Sequence, residues 1–255
     1  MKLIFLGTGT SQGVPVISCK CKVCRSTDSR DHRLRTSALL VTDEGKNILF
    51  DIGPDFREQM LREKVTHLEG ILVTHAHRDH VAGLDDIRAF NYVQHQKMQL
   101  YANDVALNII KRDYHYIFSD HPYPGLPEVD LHCVDGDEPF MVAGYKVTAI
   151  KAMHKVMPIL GYRIGDLTYI TDANHIEPEE LDKVRGSKLL VLNALIHEKH
   201  FSHFCLPEAL EVVKEVKPER AYFTHMSHEM GVYEEIQKEV PEGVTFAYDG
   251  LTIEI

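Results

Sequence analysis

The sequence predicts a layered α/β fold. Short apolar runs typical of buried strands alternate with helical patterns along the whole chain of 255 residues. Several strand runs end directly in a histidine or an aspartate, which places polar side chains at strand ends. No linker or repeat interrupts the pattern, and 44% of the residues are hydrophobic, which is enough for an ordinary core. We therefore expect residues 1–255 to form a single domain, with mixed strands inside and helices outside.

Periodicity and turn residues set the predicted elements. Pro178 and Pro207 suit the first turn of a helix, and Asp249-Gly250 between two strand runs is a hairpin signal. The predicted strands are 2–6, 37–41, 47–52, 70–74, 99–101, 146–150, 161–164, 167–171, 188–192, 220–224, 245–248 and 251–255. The predicted helices are 56–63, 83–94, 104–118, 178–183, 207–216 and 232–239.

One loop is dense in potential metal ligands. His75, His77, Asp79 and His80 follow directly after the apolar run Gly70-Ile71-Leu72-Val73, which reads as a buried strand. Imidazole nitrogens and carboxylate oxygens suit zinc, manganese or iron. The spacing allows the loop to present two ligands to one metal and two to a neighbouring metal.

Three further strand runs lead into a ligand of the same kind, at His154, Asp172 and His225. Each of these alone is more often an ordinary histidine or a helix-capping aspartate. Together with the loop they give seven ligands. Seven ligands suffice for two metals if one carboxylate bridges them and water completes the coordination.

The pattern resembles the signature of the metallo-β-lactamase fold superfamily, His-x-His-x-Asp-His followed by a distant His, Asp and His. Asp51 also fits, because the family places an aspartate-x-glycine one strand before the metal loop. The resemblance implies an αββα four-layer sandwich with two divalent metals at one edge of the sheets. It assigns His75, His77 and His154 to one metal, Asp79, His80 and His225 to the other, and Asp172 to a bridge; Asp79 is also counted among the catalytic residues.

A second cluster is rich in thiols. Cys19, Cys21 and Cys24 stand close together, and the odd total of five cysteines argues against a disulfide framework. Thiolates at short spacing favour a structural zinc, with His228 as the candidate fourth ligand. A redox cysteine pair or three free thiols are the alternatives. The other two, Cys133 and Cys205, are expected to be plain buried thiols.

The cysteine loop and the later Thr-His-x-Ser-His segment resemble the phosphoribosyl 1,2-cyclic phosphate phosphodiesterases. That branch carries a structural zinc on the matching cysteines and histidine. It also places a general-acid histidine ahead of a helix, which matches His203 here, with His200 as the rival. Arg33 and Arg35 are weaker candidates for binding a substrate phosphate, because arginines before a strand are usually solvated.

We therefore expect a two-metal phosphodiesterase that acts on a small or cyclic phosphodiester through a metal-activated hydroxide. A net charge of −10 disfavours long nucleic acids, and no apolar run is long enough to cross a membrane. The expected compartment is the cytoplasm, as a monomer or homodimer. The alternatives are a tRNA 3′-end processing endonuclease, a lactonase or thioesterase of the same fold, and a non-catalytic metal-binding scaffold.

Overall fold

The computed structural model describes residues 1–119 and 123–255, in which two seven-stranded sheets face each other and helices cover both outer faces. This is the predicted αββα four-layer sandwich. The strands are β1 Lys2–Gly7, β2 Ser37–Val41, β3 Asn47–Phe50, β4 Gly70–Leu72, β5 Met98–Ala102, β6 Val129–Cys133, β7 Phe140–Val142, β8 Tyr145–His154, β9 Met157–Ile164, β10 Leu167–Tyr169, β11 Leu189–Asn193, β12 Arg220–Thr224, β13 Val244–Phe246 and β14 Thr252–Glu254. The α-helices are α1 Phe56–Arg62, α2 Arg78–Val81, α3 Arg88–Gln94, α4 Asp104–Asp113, α5 Pro178–Val184, α6 Leu206–Val216 and α7 Tyr233–Ile236.

Several strands run in the same direction, so the loops that follow them lie at one edge of their sheet. The first sheet has the order β14-β1-β2-β3-β4-β5-β6, and the second has the order β13-β12-β11-β10-β9-β8-β7. Strands β3 to β6 are parallel to one another, as are β10 to β13. Because β8 and β10 both pair antiparallel to β9, β8 and β10 also run in the same direction. The carboxyl ends of β8, β10 and β12 therefore lie at the same edge of the second sheet.

Three apolar layers hold the sandwich together. The central layer lies between the sheets, where the rings of Phe50 and Tyr169 stack with centroids 4.6 Å apart. An outer layer joins the first sheet to α1, α3 and α4, and another joins the second sheet to α5, α6 and α7. Each sheet is thus buried on both faces, which explains why its strands read as continuous apolar runs.

Two glycines let the loop that follows β4 pack backbone against backbone. A Cβ atom on Gly53 would lie 2.2 Å from the carbonyl oxygen of Asp79, and one on Gly83 would lie 2.3 Å from that of Gly53. Any side chain at either position would push the loop away. The turn after β3 therefore fixes the position of the loop that carries His75 to His80.

Several sequence predictions were wrong in detail. Asp249-Gly250 makes a turn but no hairpin, because β13 and β14 belong to opposite sheets and the turn carries the chain between them. Strands β6 and β7 were missed, since β6 is a half-polar edge strand and β7 has three residues. Cys133 is the last residue of β6 and is exposed, whereas Cys205 is buried as expected.

The predicted helices also shift at their ends. The segment 83–94 begins as a 3₁₀ turn, Leu84–Ile87, before α3. The segment 104–118 is helical only to Asp113, because Tyr114 turns inward and its hydroxyl donates to the carbonyl of Val81 at 2.9 Å. The last predicted helix splits into α7 and a 3₁₀ turn, Gln237–Glu239.

Candidate metal centre

The seven predicted active-site ligands meet at one edge of the sandwich. The first four lie in the loop after β4 and in the first turn of α2, and His154 is the last residue of β8. Asp172 follows β10, and His225 follows β12 directly. Their ligand atoms form two groups, His75 with His77 and His154, and Asp79 with His80, Asp172 and His225, and within each group all atoms lie within 4.8 Å of one another.

The all-histidine group presents ring nitrogens to one point. His75 Nε2 lies 3.1 Å from His77 Nδ1. The Nδ1 atom of His154 donates to the carbonyl oxygen of Asp172 at 2.8 Å, which leaves its Nε2 lone pair free. A backbone carbonyl that fixes the tautomer of a histidine in this way is typical of metal ligands.

Asp172 joins the two groups. One carboxylate oxygen, Oδ1, lies 3.1 Å from His225 Nδ1 and 3.4 Å from His80 Nε2. The other oxygen, Oδ2, lies 3.8 Å from His75 Nε2 and 3.2 Å from His203 Nε2. The geometry therefore gives Asp172 the position of a bridging carboxylate.

Asp51 orients His80, a role that sequence reasoning did not assign. Its carboxylate is fully buried and accepts a hydrogen bond from His80 Nδ1 at 2.7 Å. The backbone N–H and the hydroxyl of Thr74 hold the same carboxylate in place. Because Nδ1 is used by Asp51, His80 directs Nε2 toward Asp79 and Asp172.

The chemistry of these side chains fits divalent cations. His80 Nε2 is buried and has no hydrogen-bond partner among the described residues, although the carboxylates of Asp79 and Asp172 approach it. Burial is the largest single effect and would lower the pKa of His80, but Asp172 and the other carboxylates together outweigh it and raise the pKa above its usual value. The carboxylates thus require a positive charge at this point, which a bound cation would supply.

Two of the other histidines, His75 and His225, are poised as neutral ligands. Burial lowers the pKa of His225 to about 3 and holds that of His75 well below its usual range. A neutral imidazole keeps the lone pair that a metal needs. For Asp172, burial opposes ionisation, but His225 and His80 outweigh it and hold the pKa of the carboxyl well below its ordinary value.

Backbone strain also concentrates at this edge. Asp51, Asp172 and His225 adopt the left-handed conformation, with φ of 59°, 62° and 57°. Such conformations cost about 1–3 kcal/mol each for residues other than glycine and persist where the surroundings over-determine them. All three follow the end of a strand, so the strain turns each side chain toward the shared centre.

His203 and His200 lie at the rim of the metal centre, with His203 nearer to Asp172. His203 Nε2 faces Asp172, and its Nδ1 lies 3.0 Å from the hydroxyl of Ser202. His200 lies behind it, with the two Nδ1 atoms 3.3 Å apart. His203 is therefore nearer to the metal ligands than its rival.

The predicted cysteine cluster also assembles. Cys19, Cys21, Cys24 and His228 bring their ligand atoms within 4.8 Å of one another, and His228 Nδ1 lies 3.4 Å from the sulfur of Cys21. The backbone N–H of Cys24 and then His228 lower the pKa of the Cys21 thiol to about 6, which favours the thiolate. The cluster ties the N-terminal loop to the segment after His225.

The two candidate arginines, Arg33 and Arg35, differ in burial and in the groups that they contact. Arg33 is fully buried, donates to the carbonyl oxygens of Ser227 and Gly231, and faces Asp31, so its role is to hold the backbone. The suggestion that Arg33 binds a substrate phosphate was therefore wrong. Arg35 instead borders a cleft that includes Asp79.

Comparison with known proteins agrees with this fold and site. The family model described as the beta-lactamase superfamily domain matches residues 46–226. A crystal structure described as a new diphosphatase from the PhnP family is 37% identical, with a TM-score of 0.92 over 100% of this chain and 97% of that one. Zn²⁺-bound PqqB from Methylobacterium extorquens is 20% identical, with a TM-score of 0.80 and complete coverage of both chains, and shows the shared fold.

An octanoyltransferase of Porphyromonas gingivalis is 40% identical over 252 residues. The match covers 98% of this chain, which spans only about half (51%) of that protein's length. The name of that protein therefore refers to a longer chain, of which only one part matches this sequence.

Together these findings define a metallo-hydrolase fold with a histidine and aspartate cluster suited to divalent metals. The chain belongs to the metallo-β-lactamase superfamily, in its PhnP-like branch. Both levels of the resemblance predicted from the sequence are confirmed.

The cysteine cluster yields a direct prediction. Cys21→Ser should lower the zinc content by one per chain and lower the melting temperature, because the N-terminal loop loses its anchor. Elemental analysis and thermal unfolding measure both effects. Cys133→Ser, which alters an exposed thiol, is the matched control and should change neither. Unaltered zinc content in Cys21→Ser would remove the cluster as a zinc site.

Proposed function

We propose that this protein is a two-metal phosphodiesterase that acts on a small or cyclic phosphodiester, such as a phosphoribosyl 1,2-cyclic phosphate. The observation that carries the proposal is the position of Asp172 between two groups of ligands. His75, His77 and His154 would hold one divalent metal, and Asp79, His80 and His225 the other. When bound, such a metal pair activates water and neutralises charge that develops on a phosphate. Zinc, manganese and iron all suit these ligands, and the cysteine cluster would hold a structural zinc.

His203 is the proposed general acid. Hydrolysis of a phosphodiester leaves an alkoxide that needs a proton, and a histidine titrates in the appropriate range. The side chain of His203 is 12% exposed, and its Nε2 lies within reach of the ligand Asp172. Ser202 and His200 hold the other side of the ring and set its direction.

A diphosphate is the second candidate substrate. The PhnP-family relative at 37% identity is described as a diphosphatase, which supports hydrolysis of a bond between two phosphates. The same metal pair and the same proton donor serve both reactions, since each breaks a bond between phosphorus and oxygen. A substrate panel that contains both classes separates them.

Other functions have less support. The segment between His154 and Asp172 contains only β9, β10 and their turns, so no arm that could grip tRNA is inserted there. No described helix is long and apolar enough to span a membrane. We propose a small substrate, a cytoplasmic location and a monomer or homodimer. A lactonase or thioesterase would share the metals without needing His203, and a non-catalytic metal-binding scaffold would keep the fold and lose some of these ligands.

The proposed function predicts metal-dependent hydrolysis of phosphodiesters. Wild-type protein loaded with zinc or manganese should hydrolyse bis(p-nitrophenyl) phosphate, and a chelator should abolish turnover until metal is restored. Release of p-nitrophenol and elemental analysis measure both. Turnover that survives loss of the active-site metals would contradict a two-metal mechanism, and no turnover on phosphodiesters or diphosphates would favour the lactonase or the scaffold.

His203→Ala should retain both active-site metals and lose turnover by a factor of about 10²–10⁴ on substrates with poor, alkoxide leaving groups. The loss should be smaller on p-nitrophenyl esters, whose leaving group departs without a proton. His200→Ala is the comparison variant: His200 contacts Nδ1 of His203, on the side away from Asp172, so its removal should cost less turnover than removal of His203. Equal losses on both kinds of substrate, or loss of a metal, would assign His203 to the ligands instead.

A further inference from the structure

Phe201 is an exposed aromatic side chain beside the proposed general acid. It lies two residues before His203 and is 67% exposed, whereas the other described phenylalanines are buried or half-buried. A single exposed apolar residue on a protein surface is ordinary. The position of this one is informative, because its neighbours belong to the segments that carry the metal ligands.

A circuit of side-chain contacts places Phe201 on the side of the metal centre where His203 lies. The ring centroids of Phe201 and His200 are 4.4 Å apart, and those of His200 and His203 are 5.2 Å apart. In the other direction, Lys155 Nζ lies 5.1 Å from the centroid of the Phe201 ring. Lys155 directly follows the metal ligand His154, whose ring centroid is 4.6 Å from that of His203. The circuit therefore starts and ends at the general acid, with Phe201 in it.

Asn174 fixes the position of Phe201 relative to the metal ligands. Its Oδ1 atom accepts a hydrogen bond from the backbone N–H of Lys155 at 2.7 Å, and its Nδ2 atom donates to the carbonyl oxygen of Phe201 at 3.4 Å. Asn174 itself follows the ligand Asp172 by two residues. The groups around Phe201 are thus attached to the same segments as the metal ligands and the general acid.

The position of His203 determines where a leaving group departs. A general acid must lie within hydrogen-bonding reach of the oxygen that it protonates. The departing alcohol is therefore bound next to His203, and Phe201 offers its carbon skeleton an aromatic surface there. The ammonium of Lys155 lies over the Phe201 ring, but most of that side chain remains open to a ligand. A flat ring suits such a surface best, because stacking brings two π-faces together.

We propose that Phe201 stacks against a planar aromatic ring on the leaving alcohol, of which a nucleobase is the common biological form. The inference rests on the proposed function, in which His203 protonates the leaving group. Among small phosphodiesters, it favours those that release an alcohol bearing such a ring. Phe201 is a specificity-determining residue, because it selects which of two ester bonds is broken and takes no part in breaking it.

Thymidine 5′-(methyl phosphate) tests the proposal in a single reaction, because both alcohols on its phosphate are primary. If the bond between phosphorus and the sugar oxygen breaks, His203 protonates that oxygen and the products are thymidine and methyl phosphate. If the other ester bond breaks, the products are methanol and thymidine 5′-phosphate. Chromatography gives the ratio of the two nucleoside products, which does not depend on the amount of folded enzyme.

Metal-loaded wild type should form thymidine in excess over thymidine 5′-phosphate by about fivefold or more, and Phe201→Ala should remove this preference. Phe201→Trp should keep the preference, because it retains an aromatic face. The 5,6-dihydrothymidine ester, whose base is saturated and no longer planar, should show no preference with the wild type. Tyr92→Ala is the matched control, since it removes another exposed aromatic side chain, on α3, and should leave the ratio unchanged.

Equal amounts of the two products from the wild type, or an excess of thymidine 5′-phosphate, would overturn the proposal. An unchanged ratio in Phe201→Ala would do the same. Failure of the proposed function would look different, because the metal-loaded wild type would then hydrolyse neither this ester nor bis(p-nitrophenyl) phosphate.

If only bis(p-nitrophenyl) phosphate is hydrolysed, inhibition of that reaction decides the question. Thymidine 5′-(methyl phosphate) should inhibit the wild type about fivefold more strongly than its 5,6-dihydro analogue does, and Phe201→Ala should abolish the difference. Equal inhibition of the wild type by the two esters would reject the stacking site.

Discussion

The carboxylate of Asp172 is the contact on which the candidate site depends. It is 2% exposed, and its two oxygens lie near His75, His80, His203 and His225, which come from different parts of the chain. A buried carboxylate surrounded by imidazoles needs positive charge, whereas His75 and His225, whose pKa values burial lowers, supply lone pairs instead. Divalent cations between these groups satisfy both requirements.

The direction of the strands brings these side chains together. Strands that run in the same direction end at one edge of their sheet, and the two sheets present those edges side by side. Left-handed backbone at Asp51, Asp172 and His225 then turns each side chain inward. The apolar layers on both faces of each sheet compensate for the local strain, because they hold the strand ends in place.

Local patterns were enough to predict most of the strands, the metal loop and the resemblance. The ligands His75 to His80 are neighbours in sequence, and the others follow recognisable strand runs. Contacts between distant segments were not readable in the same way. The hydrogen bond from His80 to Asp51 joins residues 29 positions apart, and the burial of Arg33 against Ser227 joins positions 194 apart. The exposure of Cys133 likewise depends on β6 being an edge strand, which only the sheet order shows.

Anomalous X-ray diffraction from crystals of the metal-loaded protein tests the central role of Asp172 most directly. Data collected at the absorption edge of the bound metal should show two strong peaks about 3.5–4 Å apart, one on either side of the Asp172 carboxylate. One peak would be held by the three histidines His75, His77 and His154. A single peak at this edge of the sandwich, or two peaks of which one lacks contact with Asp172, would contradict a bridged two-metal centre.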